Sequence, residues 1–322
     1  MEALEFFSGI GGFAVAAQRH GQGVVCAIDQ DVEACATYRS NINADPIRRT
    51  LDSGDLSLLP EADLWWMSPP CTPFSRRGLR KDASDPRTVG FVRLIDEAAA
   101  RAVAGRGPTW ILVENVAAFA GSQVHRHLEE SWRSAGYGIA ARILCPTQFG
   151  IPMKRPRLFL AAGRGMRPVI ADPPPPARRP LSSFLDPEAE DDEALRVPQE
   201  QVARYGTSLN ILDGQNPEAV AICFTSGYAK SWKAAGSFLR RPDGGLRRFS
   251  PREILALLGF PPSFAFPETI PLARQYHLAG NSLSVPCVEW VSRIVREQSG
   301  GMEEAKQSAT TSTIRNGIPP PS

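Results

Sequence analysis

The chain has 322 residues, 43% of them hydrophobic, which is enough to build one large or two modest domains around a sizeable core. Its formal net charge of only +2 gives no global sign of a nucleic-acid partner, so any such contact must come from local clusters of cations. The six cysteines form no Cys-x-x-Cys pairs, which argues against a metal site and a disulfide framework and favours a reducing compartment.

The amino-terminal residues carry no sign of a targeting segment. Residues 1–20 contain Glu2, Glu5 and a glycine-rich turn, without a basic segment followed by an apolar one, so no secretory signal is expected. No uncharged apolar run approaches the roughly 20 residues that a membrane span needs. We therefore expect a monomeric cytoplasmic protein, or a nuclear one in a eukaryote, without a membrane partner.

Residues 1 to about 165 alternate short apolar runs with amphipathic segments, a pattern typical of a parallel α/β sheet. The predicted strands are ALEFF, GVVCAID, ADLWWM, TWILVEN and RLFLAA. The predicted helices are FAVAAQRH, VEACATYRSNI and FVRLIDEAAARAV.

The composition changes at Arg167, where a proline-rich segment and then the acidic run DPEAEDDEA begin. This predicts a first part over residues 1–167, a small second region over 168–247 and a third part over 248–297. The third part starts with a helix at SPREILALLG, where Ser250 is the N-cap, Glu253 lies at N3 and Gly259 ends the helix. Residues 298–322 are rich in Gly, Ser, Thr and Pro and are expected to be a disordered tail.

Ligands of a parallel sheet bind beyond the carboxyl ends of its strands, so the residues that follow each predicted strand matter most. After the first strand comes FSGIGG, in which Gly9, Gly11 and Gly12 allow a tight turn and a close approach to a helix N-terminus. Asp29 follows the second strand, where a carboxylate can accept from ribose hydroxyls. This pattern predicts an adenosine-containing cofactor, either NAD or S-adenosylmethionine; the alternative is an ordinary glycine turn with a surface aspartate.

The next two strand ends carry a thiol and a carboxylate. Cys71 lies in SPPCTPFS, and its thiolate would be a strong nucleophile if nearby charge, such as that of Arg76 and Arg77, lowered its pKa. Glu114 could protonate or hydrogen-bond the atom that gains charge as the thiolate adds. From the residues alone, the alternative is a small buried cysteine beside a helix-capping acid.

Six motifs together resemble the cytosine-C5 methyltransferase superfamily in order and approximate spacing. They are FSGIGG, SPPCTPFS, LVENV, KRPRLFLAAG, RRFSPREILALLGFP and LAGNSLSVP. The resemblance covers residues 1 to about 297 and implies a Rossmann-like, S-adenosylmethionine-dependent methyltransferase fold with a mostly parallel sheet. Residues 1–167 and 248–297 would form the catalytic domain, and residues 168–247 the target-recognition region.

Three stretches resemble in particular the superfamily branch that methylates cytosine 38 of transfer RNA. They are MSPPCTPFSRRGLRKDASDPRT with ILVENVAAF, LCPTQFGIPMKRPRLFL, and CFTSGYAKSWKAAGSFL. The resemblance implies the anticodon loop of tRNA-Asp as the substrate. A short recognition region is compatible with this, because RNA readers often take a splayed loop instead of entering a groove. A DNA cytosine-C5 methyltransferase and a non-catalytic RNA-binding relative are the alternatives.

The resemblance also implies roles for individual residues. Those expected to bind the cofactor are Phe7, Gly9, Ile10, Gly11, Gly12, Asp29, Asp55, Asn281, Ser282 and Val285, with Asp29 on the ribose and Asp55 on the adenine amine. Those expected in catalysis are Cys71, Glu114, Arg155 and Arg157. Those expected to contact the substrate are Pro70, Asn115, Val116, Arg76, Arg77, Cys223, Thr225 and Tyr228. Because the last cofactor residues lie far along the chain, the final helix is expected to pack back against the first strand.

Two clusters of cations are expected to contact phosphates. They are Arg76, Arg77, Arg80 and Lys81, and Arg240, Arg241, Arg247 and Arg248. The sequence departs from the branch at Thr72, where glutamine is usual, so contacts to the bases beside the target are open. It also lacks the insertion that longer members carry before SSFLDPEAEDDEA.

Overall fold

The structure is a computed structural model that describes residues 1–74 and 82–298. The expectations for Arg76, Arg77, Arg80 and Lys81 lie outside the described residues, as does nearly all of the tail predicted over 298–322. Among the described helices, none is both long and apolar enough to cross a lipid bilayer.

The described residues form strands and helices as follows. The strands are β1 (Glu2–Phe6), β2 (Gly23–Asp29), β3 (Ile47–Arg48), β4 (Leu64–Met67), β5 (Trp110–Val116), β6 (Tyr137–Leu144), β7 (Met153–Lys154), β8 (Arg157–Arg164), β9 (Asn210–Leu212), β10 (Ala221–Ile222), β11 (Ser237–Arg240) and β12 (Leu246–Arg248). The helices are α1 (Gly12–Gln18), α2 (Val32–Asn41), α3 (Val89–Val103), α4 (Gln123–Ser134), α5 (Gln199–Tyr205), α6 (Pro251–Leu258), α7 (Leu272–Asn281) and α8 (residues 285–298).

The main sheet has seven strands in the order β3-β2-β1-β4-β5-β8-β6. The pairs from β3 to β5 are parallel, which confirms the predicted mostly parallel α/β fold. β8, which was predicted as a strand of a parallel sheet, instead runs antiparallel to both β5 and β6. No crossover helix separates β6 from β8, and a short connection of this kind reverses the chain direction.

The central strands are buried on both faces, which explains their continuous apolar runs. In β4, Leu64 and Trp66 belong to one hydrophobic cluster, whereas Trp65 and Met67 belong to the other. Because alternate side chains of a strand point to opposite faces of the sheet, β4 contributes to the hydrophobic core on both faces. The carboxyl ends of β1, β2, β4 and β5 meet at one edge, where the site lies.

The small second region packs on the same core as the main sheet. It contains the sheet β12-β11-β9, and the pair β10-β7 joins it to the connection between β6 and β8. Phe224, Tyr228 and Phe238 belong to the hydrophobic cluster that also contains Phe13 and Trp66. This pairing brings residues just after β10 against residues just after β7. The division into 1–167, 168–247 and 248–297 stays a prediction.

The carboxyl-terminal helices return to the start of the chain. The predicted helix beginning at Ser250 is confirmed as α6, with the capping box formed by Ser250 and Glu253. The side chains of Arg19 and Glu289 form an ion pair at 2.7 Å. A Cβ atom at Gly12 would lie 2.9 Å from Cβ of Leu283, so the absence of a side chain at Gly12 allows this close packing.

The second basic cluster is mostly buried and paired. Arg247 donates to both carboxylate oxygens of Glu253 at 2.9 Å, and its Nε donates to Glu190 at 3.0 Å. Arg241 is 7% exposed and donates to the backbone oxygen of Glu190, and Arg248 is 9% exposed. The prediction of phosphate contacts is therefore wrong for these three arginines, because their charges are neutralised or enclosed inside the protein.

A buried carboxyl group lies in the middle of β1. Glu5 has 0% exposure, and the hydroxyl of Tyr38 donates to its Oε2 at 2.9 Å. Burial raises the pKa of Glu5 to about 8, although the hydrogen bonds from Tyr38 and from the backbone of Ala14 oppose the shift. The side chain is therefore protonated at neutral pH in the folded protein.

Replacing Glu5 with glutamine is expected to remove a pH dependence of stability. Because the folded pKa lies above the usual value of 4.5, the stabilisation by Glu5 is complete below that pH and is lost as the pH rises towards 8. Between pH 5 and pH 8.5 the wild type should lose about 4 kcal/mol more than Glu5→Gln in its free energy of unfolding. Urea denaturation at both pH values measures the difference, and parallel pH curves for the two proteins would contradict the prediction.

Candidate active site

A cavity of about 320 Å³ lies beyond the carboxyl ends of β1, β2, β4 and β5. Its lining includes twelve of the predicted site residues, which come from segments as distant in sequence as Phe7 and Ser282. They are Phe7, Gly9, Ile10, Gly12, Asp29, Pro70, Cys71, Glu114, Arg155, Arg157, Asn281 and Ser282. Thr72, at the position where the resemblance implies glutamine, also lines it.

The turn after β1 forms one wall of this cavity. Phe7 and Gly9 have φ angles of +56° and +54°, in the left-handed region, which is uncommon for a residue such as phenylalanine. A Cβ atom at Gly9 would have no atom within 4 Å, so this part of the turn is open. At Gly11, with φ +95°, a Cβ atom would lie 3.0 Å from the Tyr38 ring. The turn thus combines left-handed backbone with close packing on its protein side.

The polar groups beside the turn fit the adenosine part of a cofactor. The two carboxylate oxygens of Asp29 accept from the backbone N–H groups of Gly9 and Asp31, each at 2.8 Å. Each oxygen keeps further acceptor capacity for a ribose hydroxyl. The hydroxyl of Ser8 is buried without a partner among the described residues, and Ser8 also lines the cavity. An unpaired buried hydroxyl at this position is a ready partner for a bound polar ligand.

Some predicted cofactor residues lie outside the cavity lining. Asp55 is exposed, and its carboxylate accepts from the backbone of Ser57 at 2.8 Å in a local turn. Asp52 lines the cavity instead, and its carboxylate also accepts from the backbone of Gly90 at 3.0 Å. Gly11 and Val285 support the site from behind, and Val285 is fully buried.

Sequence reasoning missed other lining residues. Arg49 and His277 contribute polar atoms, and one terminal nitrogen of Arg49 has no partner among the described residues. His277 lies four residues before Asn281 in α7, and the two side chains are 3.1 Å apart. Helical spacing from Asn281 is a signal that could have found His277. Arg49 follows a two-residue strand and had no comparable signal.

The loop that carries Cys71 is held by its neighbours. The Ser68 hydroxyl donates to the backbone oxygen of Phe7 at 3.0 Å. The Asn115 amide donates to the backbone oxygen of Pro69 at 3.4 Å. Asn115 is 1% exposed, and its observed contacts position the loop. Its predicted contact with the substrate stays a prediction. Val116, which was also expected to contact the substrate, is outside the cavity lining and donates its backbone N–H to Asn115.

Two arginines supply positive charge to the cavity, Arg155 just before β8 and Arg157 at its first position. Nε of Arg157 lies 3.3 Å from Oε1 of Glu114, and both groups are largely buried. Burial raises the pKa of Glu114, although Arg157 and Arg155 act in the opposite direction. Burial likewise raises the pKa of Cys71, against the lowering effect of Arg157 and with a further rise from Glu114. Burial thus outweighs these two arginines and the thiol keeps its proton at neutral pH, whereas the lowering expected from Arg76 and Arg77 lies outside the described residues.

A second thiol lies behind the two arginines. Sγ of Cys223 is 3.2 Å from Nη1 of Arg155 and 3.7 Å from Nη2 of Arg157. Burial acts to raise the pKa of Cys223, but the two guanidinium groups outweigh it and lower the pKa. Cys223 does not line the cavity. Its contacts are with the residues that do.

The remaining predicted substrate residues face the protein interior. Tyr228 has 0% exposure, and its hydroxyl donates to Ser237 and accepts from the backbone N–H of Phe249. The hydroxyl therefore both donates and accepts inside the core, and its predicted substrate contact stays a prediction. The hydroxyl of Thr225 donates to the backbone of Ala235, and Thr225 is outside the cavity lining. No group of His, Cys, Asp and Glu within residues 1–74 and 82–298 is placed to hold a metal ion.

This arrangement can now be compared with known proteins. The sequence matches the family described as C-5 cytosine-specific DNA methylase over residues 1–236 and 202–296. The chain belongs to this family. It is therefore a cytosine-C5 methyltransferase, and the methyl donor of the family is S-adenosylmethionine, which the polar groups around Asp29 and Ser8 fit.

Several members of the cytosine-C5 family resemble this one over almost their whole length. The tRNA (cytosine(38)-C(5))-methyltransferase of Schizosaccharomyces pombe is 28% identical, covering 92% of this chain and 97% of that protein. The DNA (cytosine-5)-methyltransferase of Dictyostelium discoideum is also 28% identical, covering 92% and 94%. The crystal structure of the S. pombe Dnmt2 methyltransferase superposes with a TM-score of 0.81 at 28% identity, covering 92% of this chain and 99% of that one. The resemblance to Dnmt2-type methyltransferases is thus confirmed in sequence and in fold.

Proposed function

We propose that this methyltransferase acts on transfer RNA, at cytosine 38 in the anticodon loop of tRNA-Asp, with Cys71 as the covalent nucleophile. The observation that carries the chemistry is the meeting of Cys71, Glu114 and Arg157 in one cavity with the turn after β1. A nucleophile, a proton donor and a cation then face the same bound base.

The reaction begins with the target cytosine out of its stack, which costs less in a loop than in a duplex. The Cys71 thiolate forms a bond to C6, and the electron pair of the C5–C6 double bond moves into the ring towards N3. Because burial raises the pKa of Glu114, its carboxyl group keeps a proton to higher pH than usual and can donate it to N3. Arg157 holds Oε1 of Glu114, which leaves the other oxygen for the base.

The thiol of Cys71 must pass its proton to water before it attacks. Burial raises the pKa of Cys71, and Arg157 and Arg155, which act to lower it, stabilise the thiolate as it forms. When bound, S-adenosylmethionine would supply an electrophilic methyl group to C5. The C5 proton then leaves to water, the C5–C6 double bond re-forms as the bond between Cys71 and C6 breaks to release the thiolate, and N3 returns its proton to Glu114.

On the cofactor side, residues of this chain would bind the methyl donor and orient it. Asp29 accepts from the ribose hydroxyls, and Ser8 and the open backbone at Gly9 contact the adjoining part of the donor. Asp52 replaces Asp55 as the carboxylate on the adenine side, since it lines the cavity. Asn281 and Ser282 also line the cavity and would hold the methionine part.

Two observations support RNA as the polymer. The S. pombe relative carries the name of a transfer-RNA enzyme, and residues 223–239 resemble the RNA branch. A DNA cytosine-C5 methyltransferase is the second candidate, favoured by the Dictyostelium relative and by the description of the family.

Labelled S-adenosylmethionine separates these candidates. The wild-type protein is expected to transfer label to an unmodified tRNA-Asp transcript and to lose that transfer when cytosine 38 is replaced by uridine. Bisulfite sequencing of the product should show one protected cytosine. Label in duplex DNA alone would establish the second candidate and refute the first. Binding of the transcript without transfer to any nucleic acid would show a non-catalytic RNA-binding protein.

A further inference from the structure

Two half-exposed aromatic side chains lie together in the small second region. Tyr205 ends α5, and Trp232 lies in the loop before β11. Their rings are nearly parallel, at 14°, with centroids 6.5 Å apart. We name Tyr205 and Trp232, with the neighbouring cations Arg204 and Lys233, the aromatic platform.

The platform is firmly supported from inside the protein. The guanidinium of Arg248 lies 4.1 Å from the centroid of the Trp232 ring, and Arg248 is 9% exposed. The buried ring of Phe238 stacks beside Trp232 at 5.9 Å and 21°. These contacts hold the indole in one orientation before any ligand arrives, which lowers the entropic cost of binding.

The outer part of the platform is cationic. Arg204 and Lys233 are exposed, and their charged groups lie 5.2 Å and 5.7 Å from the centroid of the Tyr205 ring. Both charged groups therefore add positive potential beside the exposed side of the rings. The combination of half-exposed rings with nearby positive charge suits a ligand that has both an aromatic face and a phosphate.

Trp232 and Lys233 of the platform belong to the segment that borders the active site. This segment starts at Cys223, which contacts Arg155, and reaches Trp232 nine residues later. A Cβ atom at Gly280 in the cavity wall would lie 2.3 Å from the backbone carbon of Thr225, so segment and wall are in direct contact. Two residues after Trp232, Ala234 has φ +49°, a strained left-handed conformation in the loop between the platform and β11.

We propose that the aromatic platform binds an unpaired nucleotide of the RNA substrate, with the base stacked on Tyr205 and Trp232 and its phosphate near Arg204 and Lys233. This inference rests on the proposed action on RNA and adds a second contact beyond the target base. Single-stranded loops offer splayed bases for stacking, whereas an intact duplex keeps its bases stacked on one another. The platform therefore favours a structured RNA with an open loop over double-stranded nucleic acid.

The test compares tRNA binding by Tyr205→Leu and Trp232→Leu, which keep apolar bulk and remove the aromatic face. Each is expected to raise the Kd for the transcript and its KM about tenfold, with kcat and the Kd for S-adenosylmethionine unchanged. Tyr205→Phe, which restores the ring, should recover the wild-type KM. Unchanged melting temperature and cofactor affinity show that a variant is folded; if Trp232→Leu fails this check, Tyr205→Leu at the end of α5 carries the test.

The cations are tested separately by salt dependence. Arg204→Gln should weaken binding and lower the slope of log Kd against log salt concentration by about one. Arg106→Gln is the matched control, because Arg106 is a half-exposed arginine between α3 and β5, at the opposite edge of the sheet. An equal loss of slope in both variants would overturn the phosphate contact.

Transcripts with a single abasic nucleotide locate the stacked base. At one position of the loop, removing the base should cancel the effect of Tyr205→Leu on Kd, as expected for two partners of one contact. If wild type methylates the transcript but both leucine variants bind it normally, the platform proposal is wrong and the proposed function stands. If wild type methylates only duplex DNA, the proposed function fails first, and a platform for unpaired RNA fails with it.

Discussion

Cys71→Ser is expected to lower the single-turnover rate of methyl transfer by about a thousandfold or more, because a serine hydroxyl is a far weaker nucleophile than a thiolate. The substitution changes one atom, and the loop around it is held by Ser68 and Asn115 and not by the thiol itself. The affinity for S-adenosylmethionine should therefore stay unchanged.

Cys26→Ser is the matched control, since Cys26 is a half-buried cysteine of β2 that does not line the cavity. Cys223→Ser tests the other thiol near the arginines. A transcript with 5-fluorocytosine at the target traps the covalent adduct, because fluorine cannot leave C5 as a proton does. The adduct should form with wild type and with Cys26→Ser but not with Cys71→Ser. An adduct in Cys71→Ser that disappears in Cys223→Ser would transfer the nucleophile to Cys223.

The strands that build this site could be predicted because their apolar runs are continuous. β1, β2, β4 and β5 are recognisable from sequence, and the residues after them point to the cavity. β6 was missed because it is an edge strand whose middle is partly exposed, so its apolar pattern is weak. The antiparallel direction of β8 depends on its pairing with β5 and β6, which no local pattern encodes.

The sequence did not predict which side chains point into the cavity and which point into the core. Asp52 and Asp55 lie three residues apart in a loop without periodicity, and tertiary packing decides which one meets the cavity. Arg247 looks like a surface cation until its partner Glu190, distant in sequence, is placed beside it. Tyr228 belongs to a motif that resembles a functional signature, yet it is used by the core.

Cys223 also belongs to the motif that resembles the RNA branch, and it contacts residues of the cavity without lining the cavity itself. Its sulfur accepts from Arg155 and lies close to Arg157, and Arg157 in turn pairs with Glu114. A thiol between two cations reduces their mutual repulsion, which is largest where burial limits screening by water. We propose that Cys223 acts as a positioning residue for this pair of arginines. Its effect on the site is then indirect, through Arg155 and Arg157.

Arg155→Met is expected to lower the free energy of unfolding by about 3–5 kcal/mol and to abolish methyl transfer. The guanidinium of Arg155 donates to the backbone oxygens of Phe224, Gly280 and Ser282, at 3.1, 3.0 and 2.5 Å. Methionine fills the space but donates nothing, and each buried oxygen left unpaired costs about 1–3 kcal/mol before the structure relaxes. Activity should fall further than the loss of folded protein explains, because these bonds tie the cavity wall at Gly280 and Ser282 to the connection between β7 and β8.

Urea denaturation measures the change in stability, and labelled transfer at a temperature where the variant is folded measures the change in activity. Arg133→Met is the control, since Arg133 forms an exposed ion pair with Glu129 that should contribute less than about 1 kcal/mol. Arg155→Lys should fall between wild type and Arg155→Met, because an ammonium group keeps the charge but cannot reach all three oxygens in the fixed geometry of the guanidinium. If Arg155→Met were no less stable than Arg133→Met, the second region and the carboxyl-terminal helices would have to be held to the sheet by contacts other than those of Arg155.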